Sequence, residues 1–453
     1  MFLGVPRSMV VRLGWTTLSY GAVQFLRLLN NVVLARLLAP QIFGLMAIVN
    51  AIRTGVELLT DVGISQNIVS SRRGEEPVFY NTAWTLQVFR GLALAAACFL
   101  LAAPLSAFFG QPELTPVLRV ASLFFVFNGF DSTARGLLQK RLDIARYSRF
   151  EVYVTIFAVA AQIAIALITR TVWALVLGSV VTGAASLVVS FMFIPGLRHR
   201  FMIDRDSAVQ LMSFGKWVFL SSLVYFFAMN FDRLYFAKQI TMSELGIYGI
   251  ARALADMVTL FVARASTGVL YPTVAAAGLA PADLRQRLLR GRRTLLTLAA
   301  LGMGGFFGFS ETIVRVLYDP RYALAGEILP ILCVGVWFGI LTSTNDSILM
   351  GLSRPAYPAL SNTAKLMTYL VGVPLAFHLY GFIAAIVVIS AGELVKYVAL
   401  WALSHKEHLR FGRDDLALTI LFAVTGALLS EAVRLLGLGT GAADWHVFLR
   451  SHL

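Results

Sequence analysis

The chain has 453 residues, of which 58% are hydrophobic and only 14% charged, with a formal net charge of +14. A soluble domain carries about 25% charged residues, so this balance excludes a water-soluble fold and indicates a polytopic membrane protein. In so apolar a chain the positive charge belongs to membrane topology and anionic lipid, and no nucleic-acid partner is expected.

Apolar runs, each long enough to span, follow one another at 10–38, 42–69, 79–109, 114–138, 147–169, 172–195, 209–237, 245–273, 293–318, 327–351, 357–379, 381–404 and 414–436. They predict an all-α polytopic membrane protein of about thirteen spans. No polar stretch is long enough for an extramembrane domain. The first run is too long, and lacks the small-residue site, for a cleaved signal peptide. Cys98 and Cys333 both fall in apolar runs far apart and read as core residues, not a disulfide.

Loop charge sets the orientation. With the N-terminus cytoplasmic, the inside segments hold twenty Lys and Arg, including Arg72, Arg73, Lys140, Arg141, Arg198, Arg200, Arg354, Lys406, Arg410 and Arg413. The outside segments and ends hold seven, including Arg36, Arg170 and Lys238. This is the asymmetry of the positive-inside rule. The most basic stretch, Pro281 to Arg293, reads as an inside loop forming an interfacial helix on anionic headgroups. Thirteen spans put the tail around Trp445 and Arg450 outside.

A weak internal repeat runs through the chain. Ala35-Arg36 followed by Gly44 matches Ala237-Lys238 followed by Gly246 at an offset of 202, and Ser132-Thr133 matches Ser343-Thr344 at an offset of 211. The expected organisation is two related six-helix lobes, 1–195 and 209–404, around a central cavity. A basic cytoplasmic linker, 196–208, joins them. Residues 405–453 supply a cytoplasmic loop, one extra C-terminal helix and the outside tail. Paired bundles of this kind imply alternating access.

Charges inside the spans carry the functional argument. Eleven basic residues lie there, and as a set they would cost on the order of 30 kcal/mol in lipid. Most must therefore line water or pair. They concentrate in equivalent helices of the two halves: Arg27, Arg53, Glu57, Asp61, Asp131 and Arg135 in the first, Asp232, Arg233, Arg252, Asp256, Arg264 and Asp346 in the second. Arg53–Glu57, Asp131–Arg135 and Arg252–Asp256 are spaced i, i+4, so each can be an intrahelical ion pair as readily as a ligand site. Adjacent Asp232 and Arg233 point about 100° apart on a helix. Arg27, Arg264 and Lys365 have no acid at i±3 or i±4 and suit either a phosphate, gripped by charge-assisted hydrogen bonds, or an interlobe salt bridge. Asp61 and Asp346 could couple transport to a proton or Na⁺ gradient; capping or an interlobe pair serves them equally. No other cofactor is expected. Neither a Walker A sequence nor an HExxH or G-x-S-x-G motif occurs. His405 and His408 read as solvated, so no metal is expected.

Leu34-Ala35-Arg36-Leu37-Leu38-x-Pro40-x-x-Phe43-Gly44, followed by Asp61-Val62-Gly63-Ile64, resembles the start of the bacterial polysaccharide transporters. These are lipid-linked oligosaccharide flippases of the multidrug/oligosaccharidyl-lipid/polysaccharide superfamily. The resemblance implies a polyprenyl-pyrophosphate-linked glycan moved from the cytoplasmic to the outer leaflet of a bacterial inner membrane. It also implies polysaccharide polymerase machinery as a partner, and no catalysis. A cationic cavity would take the pyrophosphate, with Asn30, Asn31, Tyr235 and Tyr248 for sugar. The related lipid II flippases carry a basic-acidic pair where Asn30 and Asn31 stand, which moves the phosphate role toward Arg27, Arg53 and the second lobe.

Two other classes compete. A cation-coupled multidrug or small-solute antiporter would also have two six-helix lobes. The loop Ser70-Ser71-Arg72-Arg73-Gly74-Glu75-Glu76-Pro77 lacks the usual facilitator motif. A polymerase or ligase would carry a large outside loop, and no outside loop exceeds about a dozen residues.

Overall fold

In hydrocarbon the backbone has no water to bond, so an apolar run must satisfy its own N–H and C=O groups, which a helix does. The computed structural model follows this rule. It describes residues 7–437 apart from 59–63, 142, 193, 195–196, 271–273, 275–280, 353, 355, 408 and 410, and among these are sixteen α-helices and no strand. Seven helices are long and apolar enough to cross a membrane, or nine if each of two bent pairs is one span. The chain divides into two compact units at Phe226/Phe227, a boundary inside one long helix.

The first unit begins with α1 (Arg7–Leu37), α2 (Pro40–Leu58), α3 (Ile64–Ser70) and α4 (Pro77–Phe109). Then follow α5 (Leu114–Ala121), α6 (Leu123–Phe130), α7 (Ala134–Lys140), α8 (Ile144–Thr169), α9 (Trp173–Met192) and the start of α10 (Arg205–Gln239). Helix α4 stops at Gly110, whose φ of 64° is the left-handed cap that glycine adopts cheaply. Residues Leu114–Phe130 and Ala134–Lys140 form a pair bent by 50° at Asp131-Ser132-Thr133. Helix α1 packs along α8, α8 along α9, and α4 along α6.

Residues 197–204 form a non-helical strap fastened to α4. The Arg200 N–H donates to Asn81 Oδ1 (2.9 Å), Met202 N–H to Thr85 Oγ1 (3.0 Å) and Asp204 N–H to Thr82 Oγ1 (3.1 Å). His199 stacks on Trp84 at 5.1 Å between ring centroids, with Tyr80 and Phe191 edge-on, and its Nε2 lies 2.8 Å from Ser132 Oγ. Burial pushes the His199 imidazole down to about 4. Asp204 accepts the Ser207 hydroxyl (2.6 Å) and N–H (2.9 Å), and these bonds hold its carboxyl below the usual range.

The second unit takes the rest of α10 with α11 (Met242–Ala265), α12 (Pro281–Gly308), α13 (Ser310–Leu317), α14 (Ala323–Gly351), α15 (Ala356–Lys406) and α16 (Gly412–Leu435). Thr241 and Glu244 form a capping box that starts α11. Helix α12 bends by 69° into α13. A straight α15 of 51 residues would measure about 76 Å, over twice the hydrocarbon thickness. It doubles back at Gly381 (φ 84°, ψ −165°), and the Tyr369 hydroxyl donates to the Ile389 carbonyl at 3.0 Å across the hairpin. The two arms match the expected spans at 357–379 and 381–404.

Three expectations can be set against these coordinates. Cys98 and Cys333 are free and buried, as expected of core residues. The first repeat match has a backbone counterpart: helices end at Leu37 and Gln239 and restart at Pro40 and Met242, again 202 apart. The second has none, because Ser132-Thr133 sits at a helix break while Ser343-Thr344 lies inside α14. One reading is corrected. Arg292, counted with an inside loop, is 1% exposed within α12, and its guanidinium donates to Asp415 (2.6 Å) and Asn345 (3.2 Å) over the Phe411 ring. The basic stretch is the first half of a helix whose inner face carries one of its arginines into the protein. The tail around Trp445, His408 and Asp61 lie outside the described residues.

Candidate functional site

Each unit holds its own polar cluster inside apolar helices. In the first, the centre is Glu57 near the end of α2. Its carboxylate accepts from Asn128 Nδ2 (3.1 Å) and its carbonyl from the Arg90 guanidinium (2.6 Å). Gln87, one turn before Arg90, donates its amide to the carbonyls of Asn128, Gly129 and Asp131 at 2.9–3.2 Å. Glu57, Gln87, Arg90 and Asn128 line one small pocket. It exists because α4 and α6 approach at Gly91 and Gly129, where a Cβ on Gly91 would come within 2.6 Å of the Gly129 Cα.

The expected residues of this unit surround that pocket or lie apart from it. Asp131 and Arg135 pair at 3.5 Å, and Ser186 bridges them, donating to Asp131 (3.1 Å) and accepting from Arg135 (2.5 Å). The expected Arg53–Glu57 ion pair is absent among the described residues. Arg53 instead lies 4.5 Å from the Phe124 ring centroid in a cation–π contact, while the Glu57 carboxylate accepts from Asn128. Asn30 donates to Gln162 of α8 at 2.8 Å. Arg27 is exposed on α1, with no ion pair or hydrogen bond among the described residues. Asn30 Oδ1, Asn31 Oδ1, Arg53 Nε, Asp131 Oδ1 and Arg135 Nε are buried with no hydrogen-bond partner among the described residues. Such atoms are rare in native proteins, and they suit water or a ligand rich in hydroxyls and charged oxygen.

The second unit holds more charge at greater depth. Lys365 is fully buried and bonds Glu393 at 2.5 Å, with the Tyr369 ring 5.3 Å away. Lys396, one turn after Glu393 on the returning arm, bonds Asp346 of α14 at 3.2 Å. Arg252 and Asp256 pair at 3.0 Å, as their spacing predicts. Asp232, 4% exposed, accepts the Tyr248 hydroxyl, so α10 and α11 meet through that bond beneath a cluster of Phe236, Tyr248 and Phe382 rings. Arg233 is half-buried and makes no ion pair among the described residues. Arg264 is exposed in the last turn of α11.

Lys365 thus differs from its expectation. It has no acid in its own helical turn, yet the Gly381 hairpin delivers one 28 residues on. Glu393, Lys396, Tyr369, Gln87, Asn128 and Ser186 complete the clusters and were absent from the expected site. A signal for Gln87 existed, because it stands i, i+3 from Arg90 in an apolar run. Tyr235 Oη and Asp346 Oδ1 are buried without a partner.

These two clusters can bind anionic oxygen and hydroxyl groups. The sequence profile described as "Polysaccharide biosynthesis protein" matches residues 33–325. The chain belongs to that family. As a family member it is 24% identical to the succinoglycan biosynthesis transport protein ExoT of Rhizobium meliloti (strain 1021), over 77% of this chain and 70% of that protein. It is 23% identical to the lipopolysaccharide biosynthesis protein WzxC of Escherichia coli (strain K12), over 82% and 75% respectively. Among solved structures it shares the fold of the lipid II flippase MurJ in an inward closed conformation, with a TM-score of 0.76, 14% identity and 96% and 95% of the two chains covered. An inward-facing MATE family multidrug transporter of the MOP superfamily gives 0.66 at 13% identity, covering 91% and 98%. The resemblance seen in Leu34–Gly44 is therefore borne out at the level of family and fold.

Proposed function

We propose that the protein is a flippase. It carries a polyprenyl-pyrophosphate-linked oligosaccharide from the cytoplasmic to the outer leaflet of a bacterial inner membrane, for surface polysaccharide biosynthesis. The family match over residues 33–325 carries this reading. Buried atoms without partners beside Arg53, Asp131 and Arg135 support it, because a sugar pyrophosphate offers the hydroxyls and charged oxygens they lack. Arg27, exposed on an apolar helix with no ion pair or hydrogen bond among the described residues, is the leading candidate for the pyrophosphate. The headgroup crosses as it is exposed alternately to the two sides, while the polyprenyl tail stays in lipid. Thirteen spans with a cytoplasmic N-terminus fit the loop charges. Coupling of this movement to a proton or Na⁺ gradient falls on Asp346, whose Oδ1 lacks a partner.

The test is a deletion strain, scored for surface polysaccharide and for the leaflet of the lipid-linked repeat. Loss of polysaccharide with a completed repeat on the cytoplasmic leaflet is expected, with Arg27→Gln restoring little of it at normal protein level. Normal polysaccharide and no trapped repeat, in a strain with no second flippase, would overturn the assignment.

A further inference from the structure

Away from both clusters, the second unit carries a cavity of 790 Å³ between the returning arm of α15 and α16. Tyr397, Trp401 and His405 form one wall, four residues apart and so on one helix face. Gly412, Leu416 and Thr419 form the other. A Cβ at Gly412 would come within 2.6 Å of Trp401 Nε1, so a larger residue there would push the indole aside. Trp401 and Leu416 are 37% and 63% exposed, so the cavity opens at the side of a membrane helix and not into the core.

Its polar groups have a consistent sign. Arg413 is exposed and makes no ion pair or hydrogen bond among the described residues. His405 donates its Nδ1–H to the Trp401 carbonyl at 3.2 Å, so Nε2 of the neutral ring is an acceptor and the contact to an anion falls to Arg413. Asp415 also lines the cavity, but Arg292 (2.6 Å) and the Tyr397 hydroxyl (2.9 Å) occupy its carboxylate and compensate its charge. The remaining surface is aromatic and aliphatic.

We propose that this cavity holds one anionic phospholipid of the bilayer, with its acyl chain against Trp401 and Leu416 and its phosphate on Arg413. Four observations carry the choice of occupant. The volume falls in the range of about 300–1,000 Å³ that holds small apolar ligands. Helix α16 starts at Gly412, so Arg413 stands in the first turn of a span, at the level of lipid headgroups. Tryptophan favours that same level. An unpaired guanidinium grips phosphate through charge-assisted hydrogen bonds. The site is independent of the transport substrate proposed above.

Native mass spectrometry of the purified full chain, titrated with phosphatidylglycerol and phosphatidylcholine of identical acyl chains, tests it. One phosphatidylglycerol should be held about tenfold more tightly than phosphatidylcholine, the scale of one charged hydrogen-bonded contact. Arg413→Gln should shrink that preference to below about threefold, and Leu416→Trp, at an exposed position, should expel both lipids by filling the cavity. Phosphatidylglycerol carrying brominated acyl chains gives a second measure that needs no packing change: it should quench the wild type more than Trp401→Phe. Retention unchanged in both cavity variants, or quenching unchanged in Trp401→Phe, overturns the proposal. So does displacement of phosphatidylglycerol by an equimolar polyprenyl phosphate, which would assign the cavity to the substrate path.

Discussion

Lys365 shows how a single charge is made tolerable at depth. Its ammonium is fully buried, and the Glu393 carboxylate supplies the counter-charge. Removing one partner strands the other, so Lys365→Met should destabilise the protein by ~3–5 kcal/mol. The double variant Lys365→Met/Glu393→Gln should recover most of the loss, because two neutral groups then replace the pair. Thermal unfolding in detergent, with the wild type and both variants compared, measures this; equal loss in the single and double variants would show that Lys365 acts on something other than Glu393. At this scale the sequence was half legible. Pairs closed within one helical turn, Asp131–Arg135 and Arg252–Asp256, follow from spacing alone. Lys365–Glu393 and Lys396–Asp346 do not, because tertiary folding brings those partners together. Arg53 fails for a third reason: an aromatic ring on another helix competes with the acid in its own.

Among the elements, helices were readable from apolar length, and their breaks from local chemistry. Gly381 has a backbone conformation open essentially to glycine, and no side-chain clash requires it there. It converts one apolar stretch into two spans. The strap 197–204 was harder to anticipate. Its basic composition reads as a solvated linker, yet three of its N–H groups are spent on Asn81, Thr85 and Thr82. His199 makes that attachment sensitive to pH. Its folded value of about 4 lies below the ordinary 6.5, so the folded state favours the neutral ring. The attachment is at full strength above pH ~6.5 and weakens as pH falls toward 4, since protonation is easier once the ring leaves Trp84. Hydrogen exchange of the 197–204 amides, corrected for intrinsic rate, should be faster at pH 5 than at pH 7.5. His199→Phe, which keeps the stacking and cannot titrate, should remove that difference. Exchange of the wild type independent of pH would refute the role of His199.

For the molecule as a whole, composition decided the class, and the Leu34–Gly44 motif pointed to the family that the profile match establishes. Charge counting treated each arginine assigned to a loop as a surface group. Arg292 breaks that assumption, because a helix that starts at a membrane surface still has an inner face. The division inside α10, at Phe226/Phe227, also had no sequence signal: the apolar run from 209 to 237 passes through it unchanged. The burial of Cys98 and Cys333 has a practical consequence. Both native thiols are shielded, 2% and 0% exposed, so a maleimide applied to the folded protein should add nothing, and two labels per chain should appear only in denaturant. The wild-type sequence is then already a silent background for reporter chemistry. A cysteine placed singly at Arg27 or Leu416 would be the only reactive one, and its labelling from either side of a sealed vesicle would read out which surface each position faces as the transporter works.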